Sequence, residues 1–251
     1  MEKWLQYVKS HKSEATYKQY SRIVMGCKNA LGSTEAIEGY ILSIAGKLSN
    51  NTANLHLAAI KSFCKWRSQR YNTSNPAQAV DSLPPEPSKR RVLSPAEYTA
   101  VLQACRTSAE RNMILVLGNT GLRASEYLAV RPEHITSDKR FLVVVGKRQK
   151  KRYIPLNHIT RAILADSKPY RPRYKSRQGI HYKLQCLARR AKIQPFSAHS
   201  LRHYFATELF RRGVDAVKIS KLLGHSSINT TLNVYVHFAA EDLAGLCDVL
   251  E

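Results

Sequence analysis

Apolar residues recur at three- and four-residue intervals through most of this chain, the spacing of a helix with one buried side. Trp4, Leu5 and Val8 open such a stripe, and Tyr17, Tyr20, Ile23 and Val24 resume it after a polar break. Gly32-Ser33 interrupts the pattern, and Thr34 to Leu48 carries it further. Asn51-Thr52 offers a cap to another helix, with Leu55, Ala59, Ile60, Phe63 and Trp66 on its buried side. Residues 1–83 are therefore expected to form a compact helical domain.

The stretch LPPEPSKRRV, Leu83 to Val92, cannot continue a helix, because its prolines remove donors and clash with the preceding turn. Residues 84–93 read as a basic, semi-rigid linker, and 94–251 as a second domain. That domain opens on Ser94-Pro95-Ala96-Glu97, a capping box with proline at the first helical position. Leu102 and the run Met113 to Leu117 are apolar enough for a buried helical core. Gly121 marks a tight turn, after which Arg123 and Glu126 fall three apart on one helical face, a spacing that alone reads as a surface ion pair of little worth. Phe141 to Leu156 (FLVVVGKRQKKRYIPL) is the one convincing β-hairpin, a β-branched strand that enters a basic turn.

Helical spacing returns at His181 to Ala191, with Leu184 and Leu187 inward, and again from Ser197. This last region breaks at Gly213, restarts at Asp215 and breaks at Gly224, with Tyr204, Phe205 and Leu209 supplying an apolar stripe. Ala239, Leu243, Leu246 and Leu250 form a final stripe, suited equally to docking on a neighbouring subunit or folding back in cis. The fold class is mainly α: a helical N-terminal domain and an α+β second domain with a small antiparallel hairpin.

Charge narrows the function. Lys and Arg number 40 against 18 Asp and Glu, a formal net charge of +22, and such an excess points first to nucleic acid. A membrane surface is the weaker rival, since no apolar run approaches the roughly 20 residues of a spanning helix, and the polar opening MEKWLQYVKSHK is unlike a signal peptide. Five scattered cysteines (Cys27, Cys64, Cys105, Cys186 and Cys247), without a CxxC pair, favour a reducing compartment and argue against a disulfide framework or a zinc site. A cytoplasmic, nucleoid-associated protein without metal or cofactor is the expectation. Basic positions suited to phosphates are Lys61, Lys65, Arg67 and Arg70 on one helix; Lys89, Arg90 and Arg91 in the linker; Arg148, Lys150, Lys151 and Arg152 at the hairpin; and Arg171, Arg173, Lys175 and Arg177 in a later loop. Any one of these runs, taken alone, is ordinarily a solvated face.

Six residues change the picture by their order: Arg123, Lys147, His199, Arg202, His225 and Tyr235. Singly, each has an ordinary packing or surface reading. Together, TGLRASE, GKRQKKRYIPL, AHSLRHYFAT and LLGHSSINTTLNVYVH resemble the motifs of the tyrosine recombinase (phage integrase) family, from about Ser94 to His237. The hairpin segment follows the family pattern G-K-G-x-K-x-R-x-x-P-L except at Arg148, where glycine is common. The N-terminal half resembles the family's helical, SAM-like core-binding domain in length, helicity and position.

The resemblance implies a simple two-domain recombinase, such as a Xer-type resolvase or a small mobile-element integrase. It implies that Tyr235 attacks a DNA phosphorus to give a 3′-phosphotyrosyl link and a free 5′-hydroxyl. Arg123 and Arg202 would clamp the non-bridging oxygens, as a planar guanidinium does better than an ammonium. His199 would act as base, Lys147 would protonate the leaving 5′-oxygen, His225 would hydrogen-bond a phosphate oxygen, and Glu126 would support the arginine box. Partners implied are double-stranded DNA core sites and three further copies of the chain in a synaptic homo-tetramer, with a monomer free in solution and an accessory protein both compatible. Two other readings are a type IB topoisomerase, which shares this chemistry, and a DNA-binding regulator without catalysis. The close match to the H-x-x-R-H and LLGHSS segments disfavours the first, and the full set of six disfavours the second.

Overall fold

The computed structural model describes residues 1–86, 91–146, 150–166 and 170–224. The chain divides into two compact units, Met1–Lys89 and Arg90–Glu251. The first contains α1 (Glu2–His11), α2 (Glu14–Gly26), α3 (Thr34–Ala45) and α4 (Asn50–Tyr71). Ser13, Ser33 and Ser49 start α2, α3 and α4, each hydroxyl accepting from a first-turn amide. The cap of α4 is thus Ser49 and not the Asn51-Thr52 pair, which lies inside the first turn; the amide of Thr52 is the one being capped. Trp4, Val8, Ile23, Val24, Ile37, Ile41, Leu57 and Ile60 build the core, with Trp4 edge-on to Phe63 at 5.3 Å. Trp66 is only half-buried, with the Arg70 guanidinium over its ring at 5.9 Å.

The start of the proline-rich stretch is fastened to α4. Asn54 and Leu83 exchange two hydrogen bonds of 2.8 Å, side-chain amide to backbone. Asn50 Nδ2 donates to the Pro84 carbonyl at 3.0 Å, and Asn51 Nδ2 to that of Glu86 at 3.1 Å. A proline-containing segment has few amides to offer, so side-chain donors on α4 satisfy its carbonyls instead. At the other end, Leu93 is fully buried in the core of the second unit, and Arg91 pairs with Glu97 and donates to the Pro195 carbonyl. Both residues belong to the second unit structurally, and Arg91 is not a free linker cation.

The second unit contains α5 (Pro95–Gln103), α6 (Ser108–Thr120), α7 (Ala124–Leu128), β1 (Phe141–Val145), β2 (Lys151–Pro155), α8 (His158–Arg161), α9 (Arg177–Arg190), α10 (Ala198–Arg211) and α11 (Ala216–Leu223). Ser94 and Glu97 form the expected capping box at α5. Helix α6 runs through the core, with Met113, Ile114, Val116 and Leu117 fully buried, and α10 packs along it. At its start the buried carboxylate of Glu110 ties α6 to α9, accepting from Arg190 Nη2 at 2.8 Å and Lys183 Nζ at 3.1 Å. Strands β1 and β2 pair antiparallel in the register Val144↔Arg152, and the Gly146 amide donates to the Lys150 carbonyl at 2.8 Å to close the hairpin.

Helix α9 begins at Arg177, four residues ahead of the expected start, because Ser176 caps a polar first turn that carries no apolar period. Arg177 is therefore helical and not part of the preceding loop. Among the described residues no helix is long and apolar enough to cross a membrane.

Candidate active site

Two helix ends converge on a cluster of arginines. Helices α6 and α11 both stop at glycines in the left-handed region, Gly121 at φ 61° and Gly224 at φ 65°. That backbone disfavours any side chain, and a Cβ at Gly121 would also sit 2.5 Å from Phe205 Cδ1. The last carbonyls of a helix have no intrahelical donor and carry the negative end of its dipole. Here arginines supply the donors. Arg202 Nη1 donates to the Gly121 carbonyl at 2.8 Å, and its Nη2 to that of Leu223 at 2.6 Å. Arg152 Nε donates to the Leu222 carbonyl at 2.8 Å, and Arg123 Nη2 to that of Gly224 at 3.3 Å. Three consecutive carbonyls at the end of α11 thus each meet a different arginine.

One carboxylate sits among these cations. Glu126 lies in the first turn of α7 and accepts the Arg123 amide at 2.7 Å, much as a capping-box glutamate does. It also accepts Arg123 Nη1 at 2.9 Å and a bidentate fork from Arg152, both bonds 2.8 Å, with Arg202 Nη1 at 4.0 Å. The Glu126 side chain is 9% exposed, Arg202 2%, Arg152 11% and Arg123 40%. The i, i+3 spacing of Arg123 and Glu126, taken alone, suggests a surface pair of little worth, but the carboxylate is nearly buried. Three guanidinium groups surround one nearly buried carboxylate, which leaves a local excess of positive charge.

Burial alone would raise the carboxyl of Glu126, but the hydrogen bonds from Arg152 and the Arg123 amide, with the charges of both arginines, hold it down at about 2. Arg202 moves the other way. Burial first, and then the neighbouring Arg123, push it below the usual arginine range, with Glu126 opposing. The cluster therefore keeps concentrated, partly desolvated positive charge at the ends of two helices, as an anion-binding centre requires.

His199 occupies the first turn of α10, one turn ahead of Arg202. Its ring is exposed and meets the buried His203 ring edge-on at 4.6 Å. Lys147, His225 and Tyr235 lie outside the described residues, as do Lys89, Arg90, Arg148 and the stripe at Ala239, Leu243, Leu246 and Leu250. Among the basic positions, Lys65, Arg70, Lys150, Lys151, Arg171, Arg173, Lys175 and Arg177 are exposed, whereas Lys61 is half-buried. Arg67 lies over Phe63 and donates to the Leu31 carbonyl at 3.1 Å. Arg152 departs most from its expected outward role, because all three guanidinium nitrogens are committed inward. The signal was strand alternation. Arg152 and Ile154 share one face of β2, Ile154 is fully buried, and Lys151 and Tyr153 point the other way to solvent. Among the described residues no three His, Cys, Asp or Glu side chains converge as a metal centre would require.

The fold is that of the tyrosine recombinase catalytic domain. It superposes with a TM-score of 0.78 on the integrase of transposon Tn1549 in complex with transposon right-end DNA, at 19% identity over 99% of this chain and 97% of that one. The profile of the phage integrase family matches residues 91–242, and the chain belongs to that family. Its relatives include the tyrosine recombinase XerD of Ralstonia nicotianae, 29% identical over 90% of this chain and 82% of that protein. They also include the tyrosine recombinase XerA of Saccharolobus solfataricus, 29% identical over 76% of this chain and 65% of that protein. The family consists of enzymes that cleave and rejoin DNA.

Proposed function

We propose that this chain is a site-specific recombinase that cleaves and rejoins duplex DNA through a 3′-phosphotyrosyl intermediate. The observation that carries the reading is the buried arginine cluster. A guanidinium has five donor hydrogens, and the carbonyls of Gly121 and Leu223 take up only two of them at Arg202. Arg123, the more exposed of the pair, reaches the next carbonyl of the same helix end, that of Gly224, from the cap position of α7. Together they suit the two non-bridging oxygens of a phosphodiester, whose charge grows as phosphorus becomes five-coordinate.

In this reading the Tyr235 oxygen bonds to phosphorus as the bond from phosphorus to the 5′-oxygen breaks. His199 takes the phenolic proton and Lys147 gives one to the leaving oxygen. Phosphodiester number is unchanged, so the reverse attack by a 5′-hydroxyl rejoins the strand without an energy source. His225, directly after the clamped end of α11, would bond a phosphate oxygen. The first unit serves as the core-DNA-binding domain, with Lys65 and Arg70 on α4 toward phosphates. Four protomers act on two core sites, as exchange between two duplexes demands, and the setting is the cytoplasm.

Supercoiled plasmids carrying two candidate sites from the source replicon test this, with products separated on one gel. Site-dependent recombinant circles are expected. Relaxation of any plasmid without recombinants would instead assign a topoisomerase.

A further inference from the structure

The arginine that the family chemistry leaves without a task is Arg152, and its surroundings give it one. It is the only one of the three whose fork closes on Glu126 through two bonds, both 2.8 Å. Its remaining nitrogen, Nε, holds the Leu222 carbonyl. It also pairs with Val144 in the hairpin, two residues from the Gly146–Lys150 closure. One side chain therefore joins the hairpin, the glutamate beside Arg123 and the end of α11. Gly224 lies close against it, since a Cβ there would be 3.1 Å from Arg152 Cδ and 3.3 Å from its Nη1.

Without that fork, Glu126 would have only Arg123 and, more distantly, Arg202 to answer its charge. Both guanidinium groups would be drawn toward the carboxylate, away from an incoming phosphate. Bidentate pairing suits this duty, because it satisfies both carboxylate oxygens in one fixed plane. We propose that Arg152 is a positioning residue for strand cleavage: by clamping Glu126 and the end of α11, it keeps Arg123 and Arg202 set to receive the scissile phosphate. The inference rests on the recombinase reading above and adds to it a residue that does not touch DNA.

The test uses single-turnover cleavage of a nicked duplex carrying the site that recombines in the plasmid assay, at saturating full-length protein. Arg152→Lys keeps the buried charge and loses the fork. Its cleavage rate constant is expected to fall about 10²-fold, the scale of a small misplacement of catalytic groups, with DNA affinity and the final extent of cleavage unchanged. Lost folding would lower the extent and leave the rate constant alone, and that pattern overturns the proposal. In a Glu126→Gln background the same substitution is expected to cost less than about tenfold, because residues acting through one contact are not additive. Full additivity also overturns it, as does a wild-type rate for Arg152→Lys. Arg202→Ala, run in parallel, separates the two ideas: if it too cleaves normally, the reading of the whole site falls, whereas an inactive Arg202→Ala beside a normal Arg152→Lys removes only Arg152's role.

Discussion

Arg202→Ala is expected to slow DNA cleavage by at least about 10²–10³-fold, the usual cost of removing one donor from a developing oxyanion. The effect has two parts that can be separated. The substitution removes a cation from the candidate phosphate site, and it strips the Gly121 and Leu223 carbonyls of their donor in a nearly dry setting. Each orphaned carbonyl costs about 1–3 kcal/mol, so a lower melting temperature should accompany the lost activity. Arg202→Lys separates the two contributions. Its single ammonium keeps a charge but cannot bridge two helix ends and a phosphate in one plane. The lysine variant should remain folded, bind DNA with near-normal affinity and still cleave far more slowly than wild type. Near-normal turnover by either variant, measured in single-turnover cleavage, would remove Arg202 from the site.

The second large effect concerns acid. Glu126 and Glu110 are both held at about 2, against 4.5 for a free glutamate, by bonds to arginine, lysine and backbone amides that outweigh their burial. Because the folded values lie below the unfolded ones, the stabilisation is complete above about pH 4.5 and is lost as pH falls toward 2. Each carboxylate contributes on the order of 3 kcal/mol at neutral pH. Within that window stability should drop by about 1.4 kcal/mol per pH unit for each of the two. Thermal unfolding of wild type and Glu126→Gln across pH 2–6 checks this. The variant should be less stable at pH 6, since three guanidinium groups then face one another around a neutral amide, and should show a shallower acid slope. Parallel curves for the two proteins would contradict the assignment.

Much of this was legible in the sequence wherever the physics is local. The Ser94 and Ser197 caps, the turn at Gly121 and the glycine stop at Gly224 are set by backbone rules acting over a few residues, and they stand where the pattern put them. The order of Arg123, His199 and Arg202 was equally readable, because TGLRASE and AHSLRHYFAT carry it in short motifs. The ion-pair network was not. The motif implies that Glu126 supports Arg123, but its spacing does not show that the fold also brings in Arg152, 26 residues away, and the carbonyls of α11. Glu110 meets Arg190 across 80 residues, a distance no local pattern spans. In the run KRQKKR every cation looks alike, and only the alternation of β2 singles out Arg152 as the inward one. The docking of Leu83 to Glu86 on α4 was hidden for a related reason: prolines announce a break in helix but not the asparagines that bind their carbonyls.

Strand cleavage in this reading passes through a covalent bond between Tyr235 and DNA, and that bond can be looked for on a gel. Wild-type protein and Tyr235→Phe would each be incubated with a nicked duplex bearing the recombining site, and the products run on a denaturing gel. A protein–DNA adduct at the 3′ end of the cleaved strand is expected for wild type. None is expected for Tyr235→Phe, which should still bind the duplex. An adduct that survives the substitution, or recombinant products formed by wild type without any adduct, would rule out covalent cleavage by Tyr235.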